Sequence, residues 1–240
     1  MAWNAKPKWG YATGSQENQE NTLEINGQLN GEGFSLASQV GMLSNMQEES
    51  GLNPWRLEGD YADIPWNTGK GYGLFQYTPA WMYLDGCQDL PGYAPNTNYN
   101  AVMPGAHPED GYAQILCFTT DQLSKWNTYP WVDSWSKTTY SHMWSLVEYG
   151  VQTYGDGVHI LLSQFKQIQE EDVATAIFLG AFERPLTPNL SVRLANNVYF
   201  SSIVSGDTPV PPPPGPFPSV GSSFKIMFYL KSKRRRFYGY

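Results

Sequence analysis

A chain of 240 residues with 41% hydrophobic side chains can bury one sizeable core, which excludes wholesale disorder. Charge is unevenly spread: residues 1–206 hold nine basic and 21 acidic side chains, net −12, and the remainder six and one, net +5. So acidic a body has poor general affinity for phosphate backbones, so no nucleic-acid partner is expected, and no stretch approaches the roughly 18 apolar residues of a membrane span.

In chain order, residues 1–30 are rich in Asn, Gln, Gly and Glu and read as a polar N-terminal arm. No apolar run follows Lys6 and Lys8, so no secretory signal peptide is expected. The main domain is expected over residues 31–206. Leu36, Val40 and Leu43 recur at helical spacing with Met42 and Met46 beside them, and Gly51 and Pro54 supply a stop, so a helix is predicted over 35–50. Residues 52–77 and 85–108 are dense in Gly, Pro and Asn and read as loops with room for a small hairpin. Thr78-Pro79 and Thr187-Pro188 each set a capping hydroxyl before a proline and are expected to open helices, through Trp81 and Leu84 and through Val192, Ala195 and Val198. Helical spacing also runs over 109–126 and 171–182. The fold class expected is therefore mainly α (α+β), with long loops.

Residues 207–219 carry repeated prolines and read as an extended spacer. Residues 220–240 form a basic, aromatic tail whose apolar run 224–230 could add as a strand to a partner's sheet or stay solvated. The 16 Tyr, 11 Phe and nine Trp suit sugar faces as well as cores. Cys87 and Cys117, the only cysteines, make neither a zinc site nor a disulfide framework, and their pairing is open. With His107, His142 and His159 widely spaced, no metal and no cofactor is expected.

Glu49 falls in the last turn of the helix over 35–50, where the negative end of the helix dipole disfavours a carboxylate. Met42 and Met46 precede it on one stripe and make its surroundings partly apolar. Both effects favour the protonated carboxyl that a general acid needs, whereas Glu48, turned about 100° away, is expected in solvent. Taken alone, the position fits an ordinary surface glutamate better than a catalytic one.

Residues 42–54 (Met-Leu-Ser-Asn-Met-Gln-Glu-Glu-Ser-Gly-Leu-Asn-Pro) resemble the Glu-Ser signature of the phage tail lysozyme family. These are virion-associated peptidoglycan hydrolases distantly similar to goose-type lysozymes and lytic transglycosylases. Residues 71–79 (Gly-Tyr-Gly-Leu-Phe-Gln-Tyr-Thr-Pro) resemble that family's Gly-Leu-x-Gln block, and 181–185 (Ala-Phe-Glu-Arg-Pro) its Glu-Arg-Pro block. Three blocks in order across residues 34–200 are more specific than any one alone; the arm and the tail lie outside them.

The resemblance implies a lysozyme-like domain with Glu49 as general acid, Ser50 supporting the turn, and Gly73 and Gln76 on the cleft floor. In that reading Gly73 lets backbone approach the sugar, Tyr77 stacks on or orients it, and Glu183 and Arg184 line the cleft or form an internal ion pair. The second carboxylate is expected in the loop holding Glu58, Asp60 and Asp63, with Asp60 or Asp63 preferred as base. A lytic transglycosylase would need no such base. Trp55, Trp66 and Trp81 are the nearest stacking candidates, and Trp126, Trp131, Trp135 and Trp144 a second group. The resemblance implies peptidoglycan glycan strands as substrate, a place in the virion tail, other tail proteins as partners through the C-terminal segment, and oligomers within a virion as an option. Two rivals stand beside it: a Cys-His amidase built on Cys87 with His107 or His142, and a non-catalytic tail component.

Overall fold

In a computed structural model the described residues are 3–6, 8–58, 70–78, 80–95, 110–120, 146–154, 157–183 and 188–207. They form helices α1 (Gln16–Gly31), α2 (Leu36–Ser50), α3 (Trp81–Leu84), α4 (Asp110–Thr119), α5 (Leu162–Phe165), α6 (Glu171–Phe178) and α7 (Leu190–Val204). A two-stranded antiparallel hairpin pairs β1 (Gln152–Tyr154) with β2 (Gly157–His159), Thr153 opposite Val158. The domain is mainly helical; this hairpin lies outside the loops over 52–77 and 85–108, while within the first of them Tyr72 bridges antiparallel to both Leu57 and Tyr77.

Helix α2 is the central strut. The Ser35 side chain accepts from the Ser38 N–H at its start, and Gly51 ends it in the left-handed region at φ 59°. Its stripe of Val40, Met42, Leu43 and Met46 is fully buried. At Gly41 a Cβ would come within 2.7 Å of the Ala174 carbonyl carbon and the Thr175 nitrogen, so α2 and α6 approach at backbone distance. Helix α7 packs on α2 and on α6, and α1 touches α2 and α7. Phe75, Phe118, Phe178 and Phe182 fill the space beside α6, with the Phe118 and Phe182 centroids 4.8 Å apart in an edge contact. Most aromatics described are thus core, worth about 1.5–3 kcal/mol each for a fully buried ring.

The expected N-terminal arm is corrected. Residues 16–31 are a helix whose Ile25 and Leu29 are fully buried, and Trp3 is buried ahead of it, against Gly111. The segment reads as polar because amides do part of the packing: Asn18, Asn21 and Thr22 are also inaccessible. The Asn21 amide donates to the Asn4 and Leu52 carbonyls and that of Asn18 to Gln47 Oε1, so burial leaves none of these donors unmatched.

Both Thr-Pro helix starts are also corrected. The Thr78 hydroxyl donates to the Gln76 carbonyl instead of capping, and α3 begins only at Trp81. Helix α7 begins at Leu190, after Asn189 in the left-handed region at φ 44°, two residues beyond Pro188. Of the helix expected over 109–126, Asp110–Thr119 is observed and residues beyond 120 lie outside the described set. Past Phe178 the helix of α6 widens into a π turn, Leu179–Glu183, which carries the first three residues of the third sequence block. The proline spacer and basic tail lie outside the described residues from 208 onward.

Candidate active site

Glu49 occupies the final turn of α2, its side chain 16% exposed. Its Oε1 accepts from Arg193 Nη2 at 2.6 Å, the arginine side chain itself being 4% exposed. Among the described residues, Oε2 carries no hydrogen bond. Glu48 points to the surface, as expected, and accepts from the Asn196 amide at 3.0 Å. Ser50 is fully buried, its hydroxyl 3.0 Å from both the Met46 and Leu74 carbonyls, which ties the end of α2 to the Gly-Leu-x-Gln block.

That block is a tight turn. Tyr72 and Tyr77 exchange backbone hydrogen bonds of 3.2 and 2.9 Å, Gly73 (φ 78°) and Gln76 (φ 45°) reverse the chain, and the Gly73 N–H donates to the Arg56 carbonyl at 2.8 Å. Underneath lies a polar cluster on α4. Gln114 Oε1 accepts from the Leu74 N–H at 2.7 Å, while its Nε2 donates to the Pro54 carbonyl and to Asp110 Oδ2. Asp110 is fully buried and accepts further from the Tyr72 and Tyr83 hydroxyls, at 2.9 and 2.6 Å, and from the Ala94 N–H. Burial pushes its carboxyl up to about 6 against these hydrogen bonds, which pull it down.

Several site expectations change as a result. A Cβ on Gly73 would lie 2.2 Å from Gln114 Oε1, so this glycine makes room for a side chain beneath the turn, not for a sugar above it. Tyr77 is 1% exposed and donates to the Gln114 carbonyl, so it braces the floor and offers no stacking face. Burial, with the Glu183 and Asp110 charges adding, holds its phenol well above the ordinary range. Trp55 is likewise buried at 1%, its indole N–H donating to the Ala94 carbonyl. A ring closed on both faces cannot stack on a ligand. Trp81, at 52% exposed, keeps an open face. The Gln76 amide nitrogen is spent within the loop, on the Arg56 and Gly73 carbonyls. Glu183 ends the π turn with its side chain partly buried.

Asp60, Asp63, Trp66 and Arg184 lie outside the described residues, as do the second tryptophan group, His107 and His142. Glu58 is described: it accepts from the Gly71 N–H at 2.9 Å and faces Lys70 at 3.9 Å, anchoring the base of that loop. Cys87 and Cys117 form a disulfide with Cα atoms 5.9 Å apart, tying the segment after α3 to α4. A bonded sulfur is no nucleophile, which removes the Cys-His rival in this state.

Four residues outside the sequence expectations belong to this site: Asn45, Asp110, Gln114 and Arg193. Their signals were present. Asp110 and Gln114 are polar residues one turn apart in an otherwise apolar helix, Asn45 lies one turn before Glu49, and Arg193 is the lone cation of α7. What joins them is contact between helices far apart in the chain.

With this geometry in place, a family profile described as phage tail lysozyme matches residues 20–200. The chain belongs to the phage tail lysozyme family. It is thereby a phage-associated, lysozyme-like peptidoglycan hydrolase. The match begins inside α1, earlier than the sequence blocks suggested, in keeping with the packing of that helix into the core. Among the described residues of this lysozyme-like domain, no helix is long and apolar enough to cross a membrane.

Proposed function

We propose that this chain is a muramidase of the virion tail, hydrolysing the β-1,4 bond between MurNAc and GlcNAc so that the phage can penetrate the host wall. The observation that carries the reading is Glu49: a carboxyl on a rigid helix end, largely but not wholly buried, with one oxygen held and the other open among the described residues. In this reaction Glu49 Oε2 gives its proton to the glycosidic oxygen, and the C–O bond breaks with its electron pair going to that oxygen. Asp60 or Asp63 removes a proton from the water that attacks the opposite face of the ring, which calls for carboxyls roughly 6.5–9.5 Å apart. Trp81, Gln76 and Glu183 are the proposed glycan contacts. Ser50, Gly73, Tyr77 and Trp55 are assigned to the scaffold beneath them.

The test is mass spectrometry of muropeptides released from purified peptidoglycan, with Glu49→Gln, Asp60→Asn and Asp63→Asn beside the wild type. Hydrolysis gives reducing MurNAc ends; 1,6-anhydro ends would make the enzyme a lytic transglycosylase. Equal solubilisation by Glu49→Gln would remove the catalytic assignment of Glu49, and no solubilisation by the wild type would favour a structural tail component. Detection of the chain in purified virions, and its co-purification with tail proteins through residues 220–240, tests the placement.

A further inference from the structure

The cation on Glu49 is in a place that stability alone does not explain. Arg193 is the fourth residue of α7, in the first turn, where the helix dipole already presents positive charge and a further cation is unfavourable. It is also 3% exposed, so its guanidinium has been taken out of water. Replacing a buried ion pair of this kind with well-packed apolar side chains is often neutral or stabilising.

The hydrogen bonds show what the arrangement achieves. Nε donates to the Pro188 carbonyl at 3.1 Å, just before α7. Nη1 donates to both the backbone carbonyl and Oδ1 of Asn45, at 3.0 and 3.1 Å. Asn45 is itself fixed, its amide donating to the Gly41 and Thr175 carbonyls. A rigid planar fork anchored at these points has one direction left for Nη2, and that is onto Glu49 Oε1 at 2.6 Å.

We propose that Arg193 is a positioning residue for the catalytic carboxyl: held by Asn45 and Pro188, it occupies Glu49 Oε1 and so assigns the transferable proton to Oε2. This inference rests on Glu49 being the general acid. An oxygen already accepting a short charged hydrogen bond is the poorer site for a proton, so the acid presents a single, fixed O–H to the glycosidic oxygen. Once that proton has left, the same guanidinium faces the carboxylate it leaves behind. Lysine cannot do this equally well, since an ammonium is a point charge without the two-sided fork.

Arg193→Met and Arg193→Lys decide the matter in the full chain, with Glu49→Gln as reference. The readouts are kcat and KM on a soluble GlcNAc–MurNAc oligosaccharide, and Tm. Arg193→Met is expected to lower Tm, because it leaves the Glu49, Asn45 and Pro188 oxygens without their donor, and to keep KM within twofold while kcat at a temperature where the variant is folded falls about 100-fold, as a misplaced catalytic group does. Arg193→Lys should recover part of that loss. Should the methionine variant not fold, the lysine variant carries the test through its kcat at unchanged KM. Wild-type kcat in either folded variant, beside an inactive Glu49→Gln, would overturn the role of Arg193 and leave Glu49 standing. A raised KM at constant kcat would overturn it too, making Arg193 a substrate contact. An active Glu49→Gln would instead overturn the catalytic reading itself.

Discussion

Asp110→Asn gives a stability prediction that can be worked from the structure. The carboxyl is fully buried under the Gly-Leu-x-Gln turn, and its folded value of about 6 stands above the 3.8 of an unperturbed aspartate. Between those values the folded state keeps a proton that the unfolded chain has released. Rising pH across the window therefore favours unfolding, and the contribution of Asp110 to stability is largest below 3.8 and lost as pH passes about 6. A gap of roughly two units corresponds to about 3 kcal/mol, from 1.36 kcal/mol per unit. Other carboxylates titrate in the same range, so the quantity to measure is the difference between variant and wild type. Urea unfolding followed by fluorescence from pH 3.5 to 7 supplies it. Relative to the wild type, Asp110→Asn should gain up to about 3 kcal/mol as pH rises through the window, whatever constant offset the amide introduces. A difference that stays flat with pH, or that runs the other way, would refute the claim that burial outweighs the Tyr72, Tyr83, Gln114 and Ala94 hydrogen bonds.

Gly73→Ala combines a backbone at φ 78° with a Cβ driven 2.2 Å from Gln114 Oε1, so a loss of about 2–4 kcal/mol is expected by thermal or urea unfolding. Gly41→Leu should destabilise strongly, by at least about 2 kcal/mol, since the new side chain meets α6 backbone at 2.7 Å; circular dichroism melting will show it. Opening the Cys87–Cys117 bridge, which closes a 30-residue separation, should cost about 3–4 kcal/mol by loop entropy, seen as a lower Tm for the double Cys→Ala variant. Ser50→Ala removes a buried hydroxyl bridging α2 and the Leu74 carbonyl and should cost about 1 kcal/mol in the same melting assay.

The sequence by itself determined the central helix, because an apolar stripe from Val40 to Met46 ahead of a glycine stop leaves the chain one way to bury it. It also determined the family, through three short blocks, and with it the choice of Glu49. Patterns that depend on local spacing were legible in this way. Helix α1 was not, because Asn18, Asn21 and Thr22 look like solvent-facing residues until the structure supplies their buried partners. Nor was the difference between the three aromatics beside the signatures, since Trp55 and Tyr77 are covered by neighbours from other parts of the chain and Trp81 is not. Only the tertiary structure put Asp110 and Gln114 under the turn at Gly73, closed the disulfide, and brought Arg193 across 144 positions of sequence to Glu49. A periodic pattern fixes which face of a helix is buried. Which polar group on another element meets that face depends on how the helices cross, and that is decided by packing.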